Sequence, residues 1–248
     1  MLQMRVLSAK NLLDAWERCL DEPAPMRGAT LLAAACDETT SGETAKWSVA
    51  RRDAALFELR EQLFGPVVEA MVTCARCGER AELEFSLDEI RGRNLRPHPS
   101  ANAGDPARTI QLDGRRIRYR APTSEDLLAI SGIADVEMAR TKLLERCVGF
   151  GDSKRGGLSA AMAHRVIEHI SRDQAEAHVE VNFTCPGCGH EWIALFDIAA
   201  FLWREVDDWA RRMLREVHLL ASRYGWREID ILSMSARRRQ AYVEMLAE

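Results

Sequence analysis

The chain has 248 residues, 47% hydrophobic and 29% charged, which suffices for one large or two small globular domains. Its longest apolar run, Leu31 to Cys36, falls far short of the roughly 20 residues that a membrane-crossing helix needs, and the N-terminus carries no signal-peptide pattern. A formal charge of −4 argues against a general nucleic-acid binder, and seven cysteines, four of them in Cys-x-x-Cys pairs, point to a reducing compartment rather than a disulfide scaffold.

Residues 1–66 read as an N-terminal helical region. Ser8 suits the N-cap of a helix carrying Leu12, Leu13, Trp16, Cys19 and Leu20, with Asp21 to Pro25 as its stop. A short Ala-rich helix is expected from Thr30 to Cys36, then a polar loop from Asp37 to Glu43. A longer helix follows from Ser48 to Phe64, with Val49, Leu56, Leu59 and Leu63 on one side, ended by Gly65-Pro66. Trp16 and Trp47 are expected in the core, and Cys19, Cys36 and Cys147 as small buried hydrophobes.

Residues 67–90 form the first of two matching segments. Alternating Val68 to Thr73 leads into Cys74-Ala75-Arg76-Cys77-Gly78, and alternating Ala81 to Phe85 leads out, which predicts a β-hairpin with cysteines in its turn. Residues 91–177 read as an insertion. It opens with a long loop, Arg91 to Pro106, and continues with a hairpin around Asp113-Gly114, the dipeptide favoured in two-residue turns. Helices are expected after the Thr123 and Ser124 hydroxyls, from Asp135 to Val148, and over 159–173, where Met162, Val166, Ile167 and Ile170 share a face. His164 and His169 point elsewhere and read as solvated. Gly149 to Gly157 reads as a connector, because Lys154 precedes Gly156-Gly157 in the wrong order for a phosphate-binding loop.

Residues 178–197 repeat the first segment: Cys185 aligns with Cys74, Gly189 with Gly78 and Phe196 with Phe85. A two-residue gap lets both sulfurs of a pair reach one ion, and the following glycine permits the positive φ that frees backbone N–H groups for the thiolates. Two sulfurs leave a tetrahedral ion half coordinated, so Cys74, Cys77, Cys185 and Cys188 are expected to meet as one structural zinc site. Leu83, Phe85, Val181, Phe183, Trp192 and Phe196 should then form a small core beneath the ion. A thioredoxin-type redox pair fits poorly, since strand-like alternation rather than a helix follows each pair. Iron in a rubredoxin-like site is the less favoured alternative, because no second redox centre or flavin pattern accompanies the cysteines. Four thiolates fill the shell and leave no position for a catalytic water. His190 therefore reads as a strand-face residue.

Residues 198–248 read as a C-terminal helical region. Phe201, Leu202, Val206, Trp209, Met213, Leu214, Val217, Leu220 and Ala221 recur at helical spacing, and Gly225 suits the C-cap. A short helix over Glu228 to Leu232 and a last one after Ser235 complete the chain. Tyr224, Trp226, Arg237, Arg238 and Arg239 combine residue types enriched at interface hot spots, so they are candidates for docking a partner. The competing expectation is internal, with Trp226 stapling the last helix and the arginines pairing with Glu205, Asp207 and Asp208. His218 and Tyr224 have no residue placed by sequence to complete an acid–base pair, which argues against an enzyme.

The run Arg118 to Leu128, the Cys-Pro-x-Cys-Gly-His knuckle with Phe196-Asp197-Ile198, and the tail motifs Phe201 to Glu205, Glu216 to Ala221, Tyr224-Gly225-Trp226 and Arg237 to Tyr242 resemble the baseplate hub assembly proteins of T-even-type contractile-tailed phages. Related proteins occur in phage-like contractile injection systems. The resemblance spans roughly residues 110–248 and leaves the first hundred outside. It implies an assembly or structural role without chemistry, with baseplate hub or other tail proteins as partners and a cytoplasmic place during assembly, and leaves open release as an assembly factor or retention in the virion or injection particle. The expected fold is α+β and predominantly helical, with a split zinc ribbon built from the two hairpins. The alternative is a nucleic-acid-binding zinc-ribbon protein in which Arg91, Arg93, Arg96, Arg115, Arg116 and Arg118 would meet phosphates. Few aromatics accompany these arginines to stack bases.

Overall fold

A computed structural model describes residues 4–36, 39–87, 107–150, 158–174 and 179–246. The first helix, α1 (Ala9–Leu20), starts where Ser8 Oγ accepts the Asn11 N–H at 3.1 Å, and it buries Leu12, Leu13, Trp16 and Cys19 while Leu20 stays exposed. Helix α2 (Ala24–Ala35) begins six residues before the expected Thr30. Pro25 lies in its first turn, where a missing N–H breaks no intrahelical bond, so the segment that stops α1 also starts α2. A single turn, α3 (Ser41–Thr44), replaces part of the expected loop; Thr40 and Glu43 form a reciprocal capping box there. Helix α4 (Val49–Phe64) follows its Ser48 cap and ends at Gly65.

Hairpin β1 (Val67–Thr73) with β2 (Arg80–Ser86) is antiparallel, as is β6 (Glu180–Thr184) with β7 (Glu191–Leu195). Between them lie β3 (Arg108–Leu112) and β4 (Arg115–Tyr119), whose turn holds Asp113 and Gly114 at φ 49° and 74°. Helices α5 (Ser124–Ile130), α6 (Val136–Cys147) and α7 (Ala160–Asp173) complete the insertion. Val148–Phe150, expected as helix end and connector, is a third strand, β5, paired with β4. The expected loop Arg91 to Pro106 and most of the glycine connector lie outside the described residues.

The last long helix, α8 (Ile198–Tyr224), spans 27 residues and packs on α1, α2 and α4. The principal core forms there, with Leu31, Leu32, Leu56, Phe57, Leu59 and Leu202 almost fully buried. A smaller cluster joins Leu112, Ile117, Tyr119 and Val148 of the three-stranded sheet to Met162 and Val166 of α7. Trp16 and Trp47 are in the core, as their spacing suggests, and the Trp16 indole N–H donates to Asp207 at 2.8 Å.

Buried charges are paired, as the cost of desolvating a lone ion requires. Arg60 of α4 forms a fork with Glu205 of α8 at 2.8 and 3.0 Å and donates to the Gly65 carbonyl at 2.7 Å, so one side chain joins two helices and caps one of them. Asp126, fully buried at the start of α5, accepts from Arg120, from Arg146 at 2.7 Å and from the Thr123 N–H at 3.0 Å. Burial raises its pKa, but Arg120, Thr123 and Arg146 outweigh that effect and hold it down to about 2. Beyond α8, α9 (Glu228–Leu232) turns back to place Leu232 in the principal core, and α10 (Ala236–Glu244) starts at the Ser235 cap.

Candidate metal centre

Both cysteine hairpins are anchored at their open ends. Val68 and Val179 are buried in the principal core, and Phe85 meets Phe196 edge-on with ring centroids 5.5 Å apart. Phe196 also stacks on Phe57 of α4 at 6.0 Å and packs against Phe201 of α8 at 5.0 Å. The expected separate core beneath an ion is therefore corrected: Phe85, Val181 and Phe196 belong to the helical core. Nearer the turns, Phe183 stacks on Trp192 at 5.2 Å, and His190 stacks on the same indole at 5.7 Å.

At the tips the two turns share one hydrogen-bond pattern. Cys74 N–H donates to the Glu79 carbonyl and Cys185 N–H to the His190 carbonyl, at 2.8 and 2.9 Å. Gly78 and Gly189 donate to the carbonyls of Cys74 and Cys185, both at 2.9 Å. Gly78 and Gly189 sit at φ 76° and 68°, where a β-carbon would be strained, which is why the spacing ends in glycine. The turns also touch. A β-carbon on Gly187 would come within 3.3 Å of the Glu79 side chain, so the second turn lies closely against the first.

This contact brings the four sulfurs of Cys74, Cys77, Cys185 and Cys188 within 4.8 Å of one another. Two approaches cross between the hairpins: Cys74 to Cys188 is 3.8 Å and Cys77 to Cys185 is 3.6 Å. A disulfide would need about 2.05 Å. A tetrahedral ion with metal–sulfur bonds of about 2.3 Å has sulfur–sulfur edges of about 3.8 Å, so the spacing is that of ligands around one ion.

The electrostatics agree with the geometry. Burial raises the pKa of the Cys74 thiol, yet N–H groups of Cys77 and Arg76 directed at its sulfur lower it to about 7. The Glu79 N–H favours a thiolate at Cys77, but the clustered sulfurs of Cys188 and Cys185 push that thiol up to about 12. At Cys188 the His190 N–H and the Cys77 sulfur favour a thiolate, but burial and the sulfurs of Cys185 and Cys74 raise the thiol. Four anions this close repel one another, and a multivalent cation converts the repulsion into attraction. The donor set therefore fits a bound metal ion. Cys74 and Cys185 are buried while Cys77 and Cys188 face solvent, so the cluster lies at the molecular surface.

The other candidate residues are spread over the molecule. Tyr224 and Trp226 stack at 4.5 Å around Gly225, and Tyr242 of α10 meets Trp226 edge-on at 4.8 Å. Arg239 is buried and donates to Glu216 of α8 at 2.6 Å, which commits it to the chain's own interior. Its partner is none of the expected acids: Glu205 belongs to Arg60, and Asp207 to Trp16 and Arg211. Arg237 and Arg238 are exposed. So are Arg115, Arg116 and Arg118, whereas Arg91, Arg93 and Arg96 lie outside the described residues. His164 and His218 are exposed, and His169 lies beside Tyr119. No helix among the described residues is long and apolar enough to cross a membrane.

No curated protein and no solved structure matches the chain. A family model described as T4 bacteriophage base plate protein matches residues 10–203. The match starts within α1 and ends early in α8. It thus takes in most of the first hundred residues, which the expected span of 110–248 had left outside, and excludes the tail motifs beyond 203. With well over half of its length matched, the chain belongs to the T4 bacteriophage base plate protein family.

Proposed function

We propose that Cys74, Cys77, Cys185 and Cys188 hold one structural zinc ion, so that the two hairpins together make a split zinc ribbon. The crossed sulfur approaches of 3.8 and 3.6 Å carry this reading, because they match the edges of a tetrahedron around a zinc-sized ion. Four sulfurs complete the shell, which favours a structural ion over a catalytic one. Iron would fit the same ligands but lacks a redox partner in the sequence.

On this foundation the chain is a non-enzymatic part of a contractile-tail baseplate, working in or assembling the central hub through contacts with other tail proteins. Residues 67–90 and 178–197 act as one clasp, gripping the helical regions 1–66 and 198–248 and carrying 91–177 as an insertion. The solvent-facing part of the tail, with exposed Tyr224, Arg237 and Arg238 and half-buried Trp226, is the docking element; Arg239 instead secures α10 to α8. Assembly takes place in the cytoplasm, and the chain remains in the particle.

Truncation of the whole tail would remove Leu232 from the core, so the test is made on the surface. In complementation of a phage lacking this gene, the double substitution Arg237→Glu with Arg238→Glu should keep the fold and metal content but abolish assembled baseplates in electron micrographs. Normal baseplates from that variant would refute tail docking. Normal baseplates from the phage lacking the gene's product altogether would refute the assembly role.

A further inference from the structure

The three-stranded sheet has one face packed on α7 and one outward face. Ile110, Leu112, Ile117 and Tyr119 point inward, and Thr109, Gln111, Arg116 and Arg118 are exposed. Register places Arg116 opposite Gln111 and Arg118 between Thr109 and Gly149, so two cations stand one pleat apart with only neutral residues across from them. Neither has an ion-pair partner among the described residues.

The outward face of the β1–β2 hairpin is the opposite case. Glu69 lies directly across from Glu84, and Glu82 lies across from Met71, which is 52% exposed. Side chains directly opposite in an antiparallel pair are about 5 Å apart, and like charges there oppose folding. Arg80 shares this face opposite Thr73, one pleat from Glu82, but no ion pair to Glu69, Glu82 or Glu84 is found among the described residues, and the face stays net negative. An arrangement that costs stability in the free chain is relieved when a cationic surface covers it.

We propose that the Arg116 and Arg118 face of one molecule docks on the Glu69, Glu82 and Glu84 face of a second copy of the same chain, with Met71 supplying apolar contact at its centre. Both halves of the contact belong to one chain, as two strand faces of opposite charge. Because the faces differ, the contact is head-to-tail, and repetition builds a ring or a filament rather than a closed pair. A nucleic acid is a poorer occupant of the arginine face, since no aromatic side chain among the described residues shares it to stack bases and the chain is acidic overall. The inference goes beyond the proposed tail docking and rests on strand register, not on the metal.

Sedimentation velocity of the full chain over a concentration series, at low and high salt, tests it. The wild type should associate at low salt and disperse at high salt as the charges are screened. Arg116→Ala with Arg118→Ala should weaken association roughly tenfold, as should Glu69→Gln with Glu82→Gln and Glu84→Gln, which is the scale for two or three exposed charge pairs. Arg116→Lys with Arg118→Lys should retain most of it. The decisive sample mixes the alanine and glutamine variants: each keeps one good face, so the mixture should stop at a one-to-one complex. A wild type that is monomeric at low salt, variants that associate as it does, or a mixture that forms no complex would overturn the proposal. Salt-sensitive binding of the monomer to DNA or RNA, lost on removing the two arginines, would assign that face to nucleic acid and overturn it equally.

Discussion

The principal core and the hairpin tips are held by different physics. Around Leu31, Phe57, Leu59 and Leu202 the chain removes large side chains from water, and the stabilisation is spread over many contacts. At the tips, Ala75, Arg76, Gly78 and Glu79 face solvent, as do Pro186, Gly187 and Gly189. With so little apolar area to bury there, four sulfurs and a handful of backbone hydrogen bonds define the local structure. The helical end therefore tolerates conservative repacking and loses stability by degrees, while the hairpin tips stand or fall with a single cluster.

Cysteine replacement should give the largest effect. Structural zinc supplies on the order of 10 kcal/mol in small zinc-binding peptides, so Cys185→Ser or chelation should release both turns. In hydrogen exchange, the amides of Cys74, Gly78, Cys185 and Gly189 should lose protection first while those of α1 stay protected. Simultaneous exchange in α1 would mean that the two regions are one cooperative unit, and the contrast would fail. Phe57→Ala should cost about 3–5 kcal/mol, since it removes a buried ring that packs on Phe196, yet metal content should remain. Chemical denaturation with parallel metal analysis checks both halves of that expectation.

A smaller effect belongs to the insertion. Because the pKa of Asp126 is held below its ordinary value, its ionised form stabilises the fold above about pH 4, and this contribution is lost as pH falls from about 4 to about 2. Arg120 and Arg146 are each 36% exposed, which screens the pairs, so Asp126→Asn should cost about 1–2 kcal/mol at neutral pH. The difference from wild type in denaturation midpoint should shrink across that acidic window and stay constant above it. The smallest change is at the N-cap of α1: Ser8→Ala should cost about 1 kcal/mol, seen as a modest fall in Tm with metal content unchanged.

The clasp was legible because its signals are local. Spacing and a following glycine identify each turn, and the common offset of Cys74, Gly78 and Phe85 from Cys185, Gly189 and Phe196 pairs the turns. Capping hydroxyls at Ser8, Ser48, Thr123 and Ser235 marked helix starts for the same reason. What escaped was decided by distant partners. Val148–Phe150 becomes a strand only because β4 offers it an edge. Phe85 and Phe196 join the helical core because Phe57 and Phe201 lie against them, and Arg239 turns inward because Glu216 waits on α8. Pro25 was read as a stop, although the same fixed φ that ends one helix suits the first turn of the next.

Whether the four sulfurs hold one zinc ion is decided by metal analysis of freshly purified protein combined with X-ray absorption at the zinc edge. The protein should carry close to one zinc per chain, with four sulfur neighbours at about 2.3 Å, and lose it in the Cys185→Ser variant. Protein free of metal, iron in place of zinc, or a zinc shell containing nitrogen or oxygen ligands would contradict the four-sulfur zinc site.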